Sequence, residues 1–289
     1  MKAKTGENRH LRFSKMHGAG NDYIYVDATV SEPEDPERLA IAVSDRHFGV
    51  GSDGLVLILP SKIADFRMRM FNSDGSEAEM CGNATRCIGK YVYEKDLTDK
   101  TTLTLETKGG VKHLTLHVID GEVDEVTVDM GEPILSPSLI PVRSDNPEVK
   151  ISENERIGDK EYVISAVSMG NPHAVIFTDE ITDDMVLQEG PLLEVADIFP
   201  RKSNIEFARV IDRENIEMRV WERGTGETLA CGTGACATAV AAVLNNLTDR
   251  RVNLHLRGGI LRIHWDPTSN HVMMTGPARF ICDGVFLWN

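Results

Sequence analysis

The fold is set by two stretches of this chain that read alike, RMFNSDGSEAEMCGNATRC at residues 69–87 and RVWERGTGETLACGTGACA at residues 219–237. Each stretch contains a cysteine followed by glycine, and Cys231 lies 150 positions (231 − 81) after Cys81. The same offset aligns further pairs: Arg69 with Arg219, Glu77 with Glu227, and Asn21 with Asn171. One offset that holds across both halves of a chain is typical of an internal duplication.

An internal duplication predicts two pseudo-symmetric lobes of the α/β (α+β) class. In each half, short alternating segments typical of strands accompany a segment of helical composition just after the cysteine, Ala84–Lys95 and Gly234–Asn245. We therefore expect each lobe to be a mostly antiparallel sheet wrapped on a central helix. Prolines interrupt any regular element after Gly131, which suits a junction between the lobes.

These patterns predict the following division of the chain. The N-terminal lobe spans 11–130 and the C-terminal lobe spans 131–276. The last residues, 277–289, have the composition of one more strand, which we expect to return to the first lobe. Residues 1–10 are polar and are expected to form a disordered tail.

The composition is that of an ordinary globular protein, with 289 residues of which 41% are apolar and 26% charged. A net charge of −14 argues against nucleic acid and anionic membranes as partners. The chain begins without the apolar stretch of a signal peptide, and it carries five cysteines. These features favour free thiols in a reducing cytoplasm.

Metal binding and disulfides are weaker interpretations of the cysteines. The spacings from Cys81 to Cys87 and from Cys231 to Cys236 differ from zinc-binding C-x-x-C pairs, and neither pair is followed by a histidine at ligand spacing. Both members of each pair would lie on one helix, where the geometry resists a disulfide. We therefore predict no metal and no cofactor.

Cys81 and Cys231 each precede a small-residue turn that leads into a predicted helix. The first N–H groups of a helix lack intrahelical partners and carry a positive partial charge. Such a position is expected to lower the pKa of the thiol from about 8.5 and to bind a carboxylate on the free N–H groups. Two such helix ends could hold one carboxylate between two thiols.

That arrangement suits a racemase that uses two bases and no cofactor. One thiolate removes the α-proton of an amino acid, and one thiol returns a proton to the other face, so the two thiols share one proton. The alternative for any free cysteine is a small buried hydrophobic residue. We predict that alternative for Cys87, Cys236 and Cys282, and function for Cys81 and Cys231.

Several polar residues share the duplicated register and are candidates for substrate binding. Asparagine is common in turns for conformational reasons, so the register is what singles these residues out. Arg223 could bind a distal carboxylate through its guanidinium group. His173 is either a histidine at a strand edge or a group that tunes a thiol. The remaining candidates are Asn21, Asn72, Asn171, Asn204 and Glu222.

The chain resembles the diaminopimelate epimerase family over nearly its whole length. Both cysteine motifs are specific, and so is the ERGTGET segment before the second. The strings that carry the resemblance are MHGAGNDY (16–23), RHFGVGSDG (46–54), FNSDGSEAEMCGNATRC (71–87), MGNPHAV (169–175), SNIEF (203–207) and ERGTGETLACGTGACA (222–237).

The resemblance implies interconversion of LL- and meso-diaminopimelate without pyridoxal or metal, in lysine and peptidoglycan precursor synthesis, by a homodimer. It implies that Cys81 and Cys231 are the acid–base pair, and that His173 and Glu222 tune the thiols, with Glu222 also holding an amine. The groups implied to hold the reacting carboxylate are Gly82, Asn83, Gly232 and Thr233. Those implied to bind the rest of the substrate are Asn21, Asn72, Asn171, Asn204 and Arg223. Gly54 departs from family members that carry glutamine there, which favours Asn204 over residue 54 as a side-chain contact.

Two other functions compete with this one. A related two-cysteine racemase could act on histidine or on a proline derivative, but such a substrate would leave Arg223 without a distal carboxylate. A binding protein could capture an amino acid without turning it over. Exchange of the Cα proton with solvent separates the two classes, because a binding protein catalyses none.

Overall fold

The computed structural model describes residues 9–288. The described residues form two compact units, one made of residues 9–126 together with 277–288, and the other of Thr127–Gly276. We name them unit 1 and unit 2. Residues 1–8 of the predicted tail lie outside the described residues, whereas Arg9 and His10 are the first residues of a strand.

Unit 1 contains two helices and most of the strands of the first half. The helices are α1 (Pro36–Ser44) and α2 (Gly82–Glu94). The strands are β1 (Arg9–Gly18), β2 (Asn21–Asp27), β3 (Gly54–Leu59), β4 (Phe66–Asn72), β5 (Glu77–Ala78), β6 (Thr102–Thr107), β7 (Gly110–Ile119), β8 (Glu122–Asp129), which ends in unit 2, and the last strand of the chain, β18 (Arg279–Trp288).

Unit 2 repeats this composition. Its helices are α3 (Gly190–Glu194), which continues a π-helical turn (Met185–Glu189), and α4 (Gly232–Leu244). Its strands are β9 (Lys150–Ile157), β10 (Lys160–Ser168), β11 (Pro172–Phe177), β12 (Asn204–Asp212), β13 (Asn215–Glu222), β14 (Gly226–Glu227), β15 (Arg251–Leu256), β16 (Gly259–Trp265) and β17 (Val272–Pro277), whose last residue belongs to unit 1.

The strands of the two units pair in the same sequence of directions. In unit 1, β1–β2, β3–β4 and β6–β7 are antiparallel, whereas β2–β3 and β4–β6 are parallel. In unit 2, β10–β11, β12–β13 and β15–β16 are antiparallel, whereas β11–β12 and β13–β15 are parallel. The matching order confirms the predicted duplication and the mostly antiparallel α/β class.

Each unit wraps its strands around one buried helix. All residues from Gly82 to Val92 of α2 are buried, and it contacts β1, β2 and β7. Helix α4 consists largely of alanine and glycine, and its small side chains allow strands to approach it closely; it contacts β10, β11 and β16. A helix covered on all sides is expected at the centre of a core. Within residues 9–288, no helix is long and apolar enough to cross a membrane.

A second apolar layer lies against the opposite sheet face of each unit. In unit 1, Leu39 and Val43 of α1 pack with Leu55 and Phe71. Helix α1 begins at Pro36, after Asp35 accepts a hydrogen bond from the Arg38 N–H, as a helix N-terminus favours. In unit 2, Val186 of the π-helical turn and Leu193 of α3 pack with Ile176 of β11 and Phe207 of β12.

Two elements differ from the sequence patterns. The sequence over Leu192–Ala196 predicts a short helix, and the structure places α3 two residues earlier, because Pro191 is tolerated in the first turn of a helix. No strand was predicted over residues 150–157, where polar residues dominate. The structure forms β9 there, and Lys150, fully buried, is paired with Glu153 at 2.7 Å and with Glu155.

The three cysteines predicted to be core residues divide into two groups. Cys87 and Cys236 are fully buried in α2 and α4, as predicted. The prediction was wrong for Cys282, which is exposed. Cys282 lies in β18, opposite Lys15 at an irregularity in the pairing with β1, and most residues of this strand are not buried.

Candidate active site

Cys81 begins the central helix of unit 1. It is the N-cap residue of α2, with extended backbone angles, and it is partly exposed. Its thiol donates to Asn21 Oδ1 at 3.4 Å, and Asn83 Nδ2 donates to the same oxygen at 3.4 Å. Three of the predicted site residues of this half, Cys81, Asn21 and Asn83, therefore lie together.

The first turn of α2 is held by an arginine that the sequence patterns did not single out. Arg86 is fully buried, and its guanidinium donates to Asn83 Oδ1 at 2.7 Å and to the Gly82 carbonyl at 3.3 Å. It also donates to the Pro277 carbonyl at 3.2 Å. Arg86 therefore fixes the positions of Gly82 and Asn83, the two residues predicted to hold a carboxylate.

Asp53 is a second residue that sequence reasoning missed. Asn21 Nδ2 donates to Asp53 Oδ2 at 2.7 Å. Because a carboxylate only accepts hydrogen bonds, this contact turns the amide oxygen of Asn21 towards Cys81. Burial and the neighbouring Asp22 carboxylate raise the pKa of Asp53, while the Asn21 hydrogen bond opposes this shift. The RHFGVGSDG string contains Asp53, but its spacing gave no signal of the contact.

Asn72 and Gly54 pair opposite each other in strands β4 and β3. Asn72 Nδ2 donates to Ser76 Oγ at 2.9 Å, within the loop that leads to Cys81. A Cβ atom at Gly54 would lie 2.1 Å from the Phe71 carbonyl oxygen and 2.9 Å from Tyr23. The backbone at this position is therefore built for glycine, which agrees with the expectation of no side-chain contact at residue 54.

Gly54→Ala is expected to lower the free energy of unfolding by about 3 kcal/mol, because its Cβ would overlap a backbone atom that cannot move without breaking the β3–β4 pairing. The measurement is a denaturant titration of both proteins. Gly109→Ala is the matched control, since its Cβ would meet ordinary contacts of 3.5 Å and beyond. Equal losses in the two variants would contradict this account.

Cys231 begins the central helix of unit 2 and is buried. Its Sγ atom, at the N-cap of α4, accepts a hydrogen bond from the Gly234 N–H at 3.4 Å and lies 3.5 Å from Thr233 Oγ1. The Glu222 carboxylate lies near enough to this thiol to raise its pKa, and Thr228 donates to Glu222 Oε1. Cys231, Thr233 and Glu222 thus form one cluster.

The expected lowering of thiol pKa by the helix end is wrong for Cys231. Burial raises the pKa of this thiol well above its ordinary value, and the carboxylates of Glu222 and Glu206 add to the increase. The hydrogen bonds from Thr233 and Gly234 act in the opposite direction but are weaker. Burial also raises the pKa of Glu222. In this structure Cys231 therefore rests as a thiol.

His173 lies in the interior of the unit 2 sheet. Its strand, β11, is paired on both sides, with β10 and β12, and the side chain is fully buried. Its Nδ1 atom is 2.6 Å from Glu206 Oε1, and its Nε2 atom is 2.9 Å from Asn171 Oδ1. Glu206 is a third residue that the sequence analysis missed. Its signal was a charge inside the apolar run Ile205–Phe207 of a buried strand.

Asn204 and Arg223 are connected through the backbone. Asn204, buried opposite His173 in the register of β12 and β11, accepts a hydrogen bond from the Arg223 N–H at 2.9 Å. Its Nδ2 atom donates to the Pro172 carbonyl at 2.8 Å. The exposed Arg223 side chain bonds the Arg201 carbonyl at 3.2 Å. Asn204 therefore fixes the start of the loop that carries Arg223.

Each unit thus presents a thiol at the start of a buried helix, beside groups that can bind a carboxylate or take up a proton. Such helix starts supply N–H groups without intrahelical partners, here at Gly82 in unit 1 and at Gly232 in unit 2. Within the described range, no group of three or more His, Cys, Asp or Glu side chains is placed to hold a metal ion.

Solved structures of low sequence identity share this fold. A phenazine biosynthesis protein of the PhzF family from Bacillus anthracis has a TM-score of 0.69 at 18% identity, covering 97% of this chain and 100% of that one. A hydroxyproline epimerase from Agrobacterium vitis has a TM-score of 0.68 at 14% identity, covering 96% and 91%. The chain therefore has the duplicated fold of the PhzF proteins and amino-acid epimerases.

Sequence comparison narrows this class to one family. The family model for diaminopimelate epimerase matches residues 13–136 and 165–281. A diaminopimelate epimerase from Methanococcus maripaludis is 54% identical over 274 residues, covering 95% of this chain and 99% of that protein. One from Acetivibrio thermocellus is 55% identical over 274 residues, covering 95% and 98%. The chain belongs to the diaminopimelate epimerase family.

Proposed function

We propose that this protein is an isomerase that interconverts LL-2,6-diaminopimelate and meso-diaminopimelate with two thiols and no cofactor. One cysteine, as thiolate, removes the proton from the reacting Cα atom, and the other, as thiol, protonates the opposite face. The observation that carries this proposal is that Cys81 and Cys231 are each the N-cap of a buried helix, in a chain of this family.

The two thiols differ in a way that suits a shared proton. The raised pKa of Cys231 favours its thiol form, which is the proton donor. Cys81 is partly exposed, so burial disfavours a thiolate there less than it does at the buried Cys231. We propose that the free enzyme carries its proton on Cys231 and that Cys81 supplies the thiolate. In the reverse direction the two roles exchange, as the pairing of one acid and one base requires.

The reacting carboxylate has a binding surface in the first turns of α2 and α4. We assign it to the residues after each cysteine, Gly82 and Asn83, and Gly232 and Thr233. Glycine at the first position allows close approach to the backbone, and aimed N–H groups stabilise the negative charge that develops when the α-proton leaves. Arg86 supports this surface in unit 1.

The remaining polar groups would bind the rest of a substrate that has two ammonium and two carboxylate groups. We assign this role to Asn21, Asn72, Asn171, Asn204 and Arg223, with Glu222 holding an amine and, with His173, tuning Cys231. The exposed guanidinium of Arg223 is suited to a distal carboxylate, which it can bind through two parallel hydrogen bonds.

We further propose that the enzyme acts as a cytoplasmic homodimer in the synthesis of lysine and peptidoglycan precursors. Free thiols suit a reducing compartment. Strand β18 exposes the apolar side chains of Ile281, Val285 and Leu287 to about half of their full extent or more, and a second subunit would cover such a surface. Sedimentation at micromolar concentration tests the dimer, and a monomer would contradict it.

The reaction is tested by incubating the reduced protein with LL-diaminopimelate and separating the stereoisomers by chiral chromatography. We expect meso-diaminopimelate to form until the two isomers reach equilibrium. L-Histidine and L-proline are the comparison substrates, and neither should be inverted. Inversion of either of them without inversion of diaminopimelate would assign the chain to another amino acid. Binding without inversion of any substrate would support a binding protein.

Arg223→Met is expected to raise KM for diaminopimelate by about 10–100-fold, the loss expected for a charge-assisted hydrogen bond, with a smaller effect on kcat. Arg209→Met is the matched control, because Arg209 is a partly exposed arginine of the same unit that pairs with Glu217 at 2.6 Å. The control should keep KM. An unchanged KM in Arg223→Met would remove this residue from the substrate site.

A further inference from the structure

Glu206 carries a carboxylate at a fully buried position, where an unpaired charge would be destabilising. Its side chain is fully buried in β12 between Ile205 and Phe207. Oε1 bonds His173, whereas Oε2 has no hydrogen-bond partner among the residues that the structure describes. An isolated buried carboxylate is costly, so an ion pair with His173 is the arrangement that would hold it there.

The chain makes space for this carboxylate beside Cys231. A Cβ atom on Gly234 would lie 2.7 Å from Glu206 Oε1 and 3.3 Å from Cys231 Sγ. The glycine at the third position of α4 therefore lets the carboxylate approach the start of the helix. In the duplicated register, residue 206 corresponds to Val56 of unit 1, and residue 173 to Tyr23. The pair of charged residues thus exists in unit 2 alone.

Both ring nitrogens of His173 have a hydrogen-bond partner. Nδ1 faces Glu206 Oε1, and Nε2 lies 2.9 Å from Asn171 Oδ1. An ionised carboxylate and an amide oxygen both accept hydrogen bonds, so both contacts are made when each ring nitrogen carries a proton. With both nitrogens protonated, the ring is an imidazolium paired with the Glu206 carboxylate. The amide oxygen of Asn171 then faces His173, and its NH2 group points away from the ring.

The equivalent asparagine in unit 1 has the opposite orientation. Asn21 donates its NH2 group to Asp53 and presents its oxygen to Cys81. Two asparagines at matching positions, 21 and 171, are therefore held by different carboxylates, one directly and one through a histidine. The duplicated scaffold presents an acceptor at one position and a donor at the other, as a substrate with both ammonium and carboxylate groups requires.

We propose that Glu206 is a positioning residue, which keeps His173 doubly protonated and thereby holds the Asn171 amide with its NH2 group directed to a substrate carboxylate oxygen. This inference rests on the proposed function for the identity of the substrate. Its first consequence, the charge on His173, concerns the free protein and is independent of turnover.

The first test is nitrogen NMR of protein labelled at its histidines, with the His173 signal assigned by comparison with His173→Gln. Near neutral pH, both ring nitrogens of His173 should show the shifts of protonated nitrogen. One unprotonated nitrogen in the wild type would overturn the proposal. This measurement needs neither substrate nor a folded Glu206 variant.

The second test is Glu206→Gln, which keeps the size of the side chain and removes its charge. His173 should become neutral by NMR, and KM should rise by about 10–100-fold, more than kcat falls, because the lost interaction is a charge-assisted hydrogen bond. Glu217→Gln, the same change at a partly exposed position in β13, should keep both parameters. An imidazolium signal or an unchanged KM in Glu206→Gln would overturn the proposal. Failure of wild type to invert diaminopimelate would instead reject the proposed function.

Discussion

Replacement of either Cys81 or Cys231 with alanine is expected to reduce the inversion of LL-diaminopimelate by about 10²–10⁴-fold or more. Each variant keeps one thiol, so it can serve one face of the Cα atom and cannot complete the transfer to the other. The two losses should also be strongly non-additive, because residues that act as one unit fail together. The double variant should therefore be little worse than either single one. The measurement is kcat in both directions.

The chain supplies controls for both substitutions. Cys236→Ala removes a buried sulfur five residues further along the same helix as Cys231, and Cys282→Ala removes the exposed thiol of unit 1. Both should keep kcat within about twofold, since neither residue is within the clusters around the two N-caps. A single cysteine variant, at 81 or 231, with wild-type activity would contradict the two-thiol mechanism.

Cys231 is expected to resist alkylation by iodoacetamide in the folded free enzyme near neutral pH. Only the thiolate reacts, and a raised pKa means a smaller thiolate fraction at any pH below that pKa. The rate should therefore rise with pH past the ordinary thiol value of about 8.5 and level off only above the raised pKa. Peptide mass spectrometry after timed alkylation measures each cysteine separately.

Glu222→Gln should accelerate this reaction of Cys231. Removal of the neighbouring carboxylate removes an interaction that disfavours the thiolate, so the pH midpoint of alkylation should move downwards. Glu217→Gln is again the control, and urea-unfolded protein gives the reference for an unperturbed thiol. A wild-type Cys231 that reacts near neutral pH as fast as it does in the unfolded chain would contradict the assignment of Cys231 as the resting proton donor.

Much of the fold could be predicted because the internal duplication shows the same sequence pattern in both halves of the chain. Cys81 and Cys231 share one register, and each precedes a small-residue turn and a segment of helical composition, so both central helices were placed to within two residues at their starts. The polar strand β9 was not predicted, because its sequence, KISENERI, lacks an apolar pattern. The strand is stabilised by pairing with β10 and by the ion pairs of Lys150. Such pairing cannot be found from periodicity.

Residues that lie close to the thiols were easier to predict than the electrostatics around them. The motifs identified Asn21 and Asn83, which contact each other beside Cys81, and Glu222, which lies near Cys231. The direction of the Cys231 pKa was wrong, because burial and two carboxylates outweigh the helix end. Burial depends on the packed fold and is not contained in the local sequence.

The residues that hold the candidate site residues in position through hydrogen bonds could not be recognised from the sequence. Asp53, Arg86 and Glu206 contact asparagines or a histidine that lie 32, 3 and 33 positions away along the chain, respectively. The contacts of Asp53 and Glu206 follow from the register of β2 and β11, which each pair in parallel with the next strand, whereas Arg86 contacts Asn83 within the first turn of α2. Only Glu206 left a trace, as a charge within a buried apolar run.

The most direct test of the two-thiol mechanism is the early fate of deuterium when the reduced enzyme acts on LL-diaminopimelate in D2O. One thiolate removes a proton from the substrate, and the other thiol, already exchanged with solvent, delivers deuterium to the opposite face. At low conversion, NMR and mass spectrometry should find one deuterium at the inverted Cα of meso-diaminopimelate and none in the remaining LL isomer. Deuterium appearing equally in both isomers from the start, or product that keeps the original proton, would contradict a mechanism with two distinct thiols.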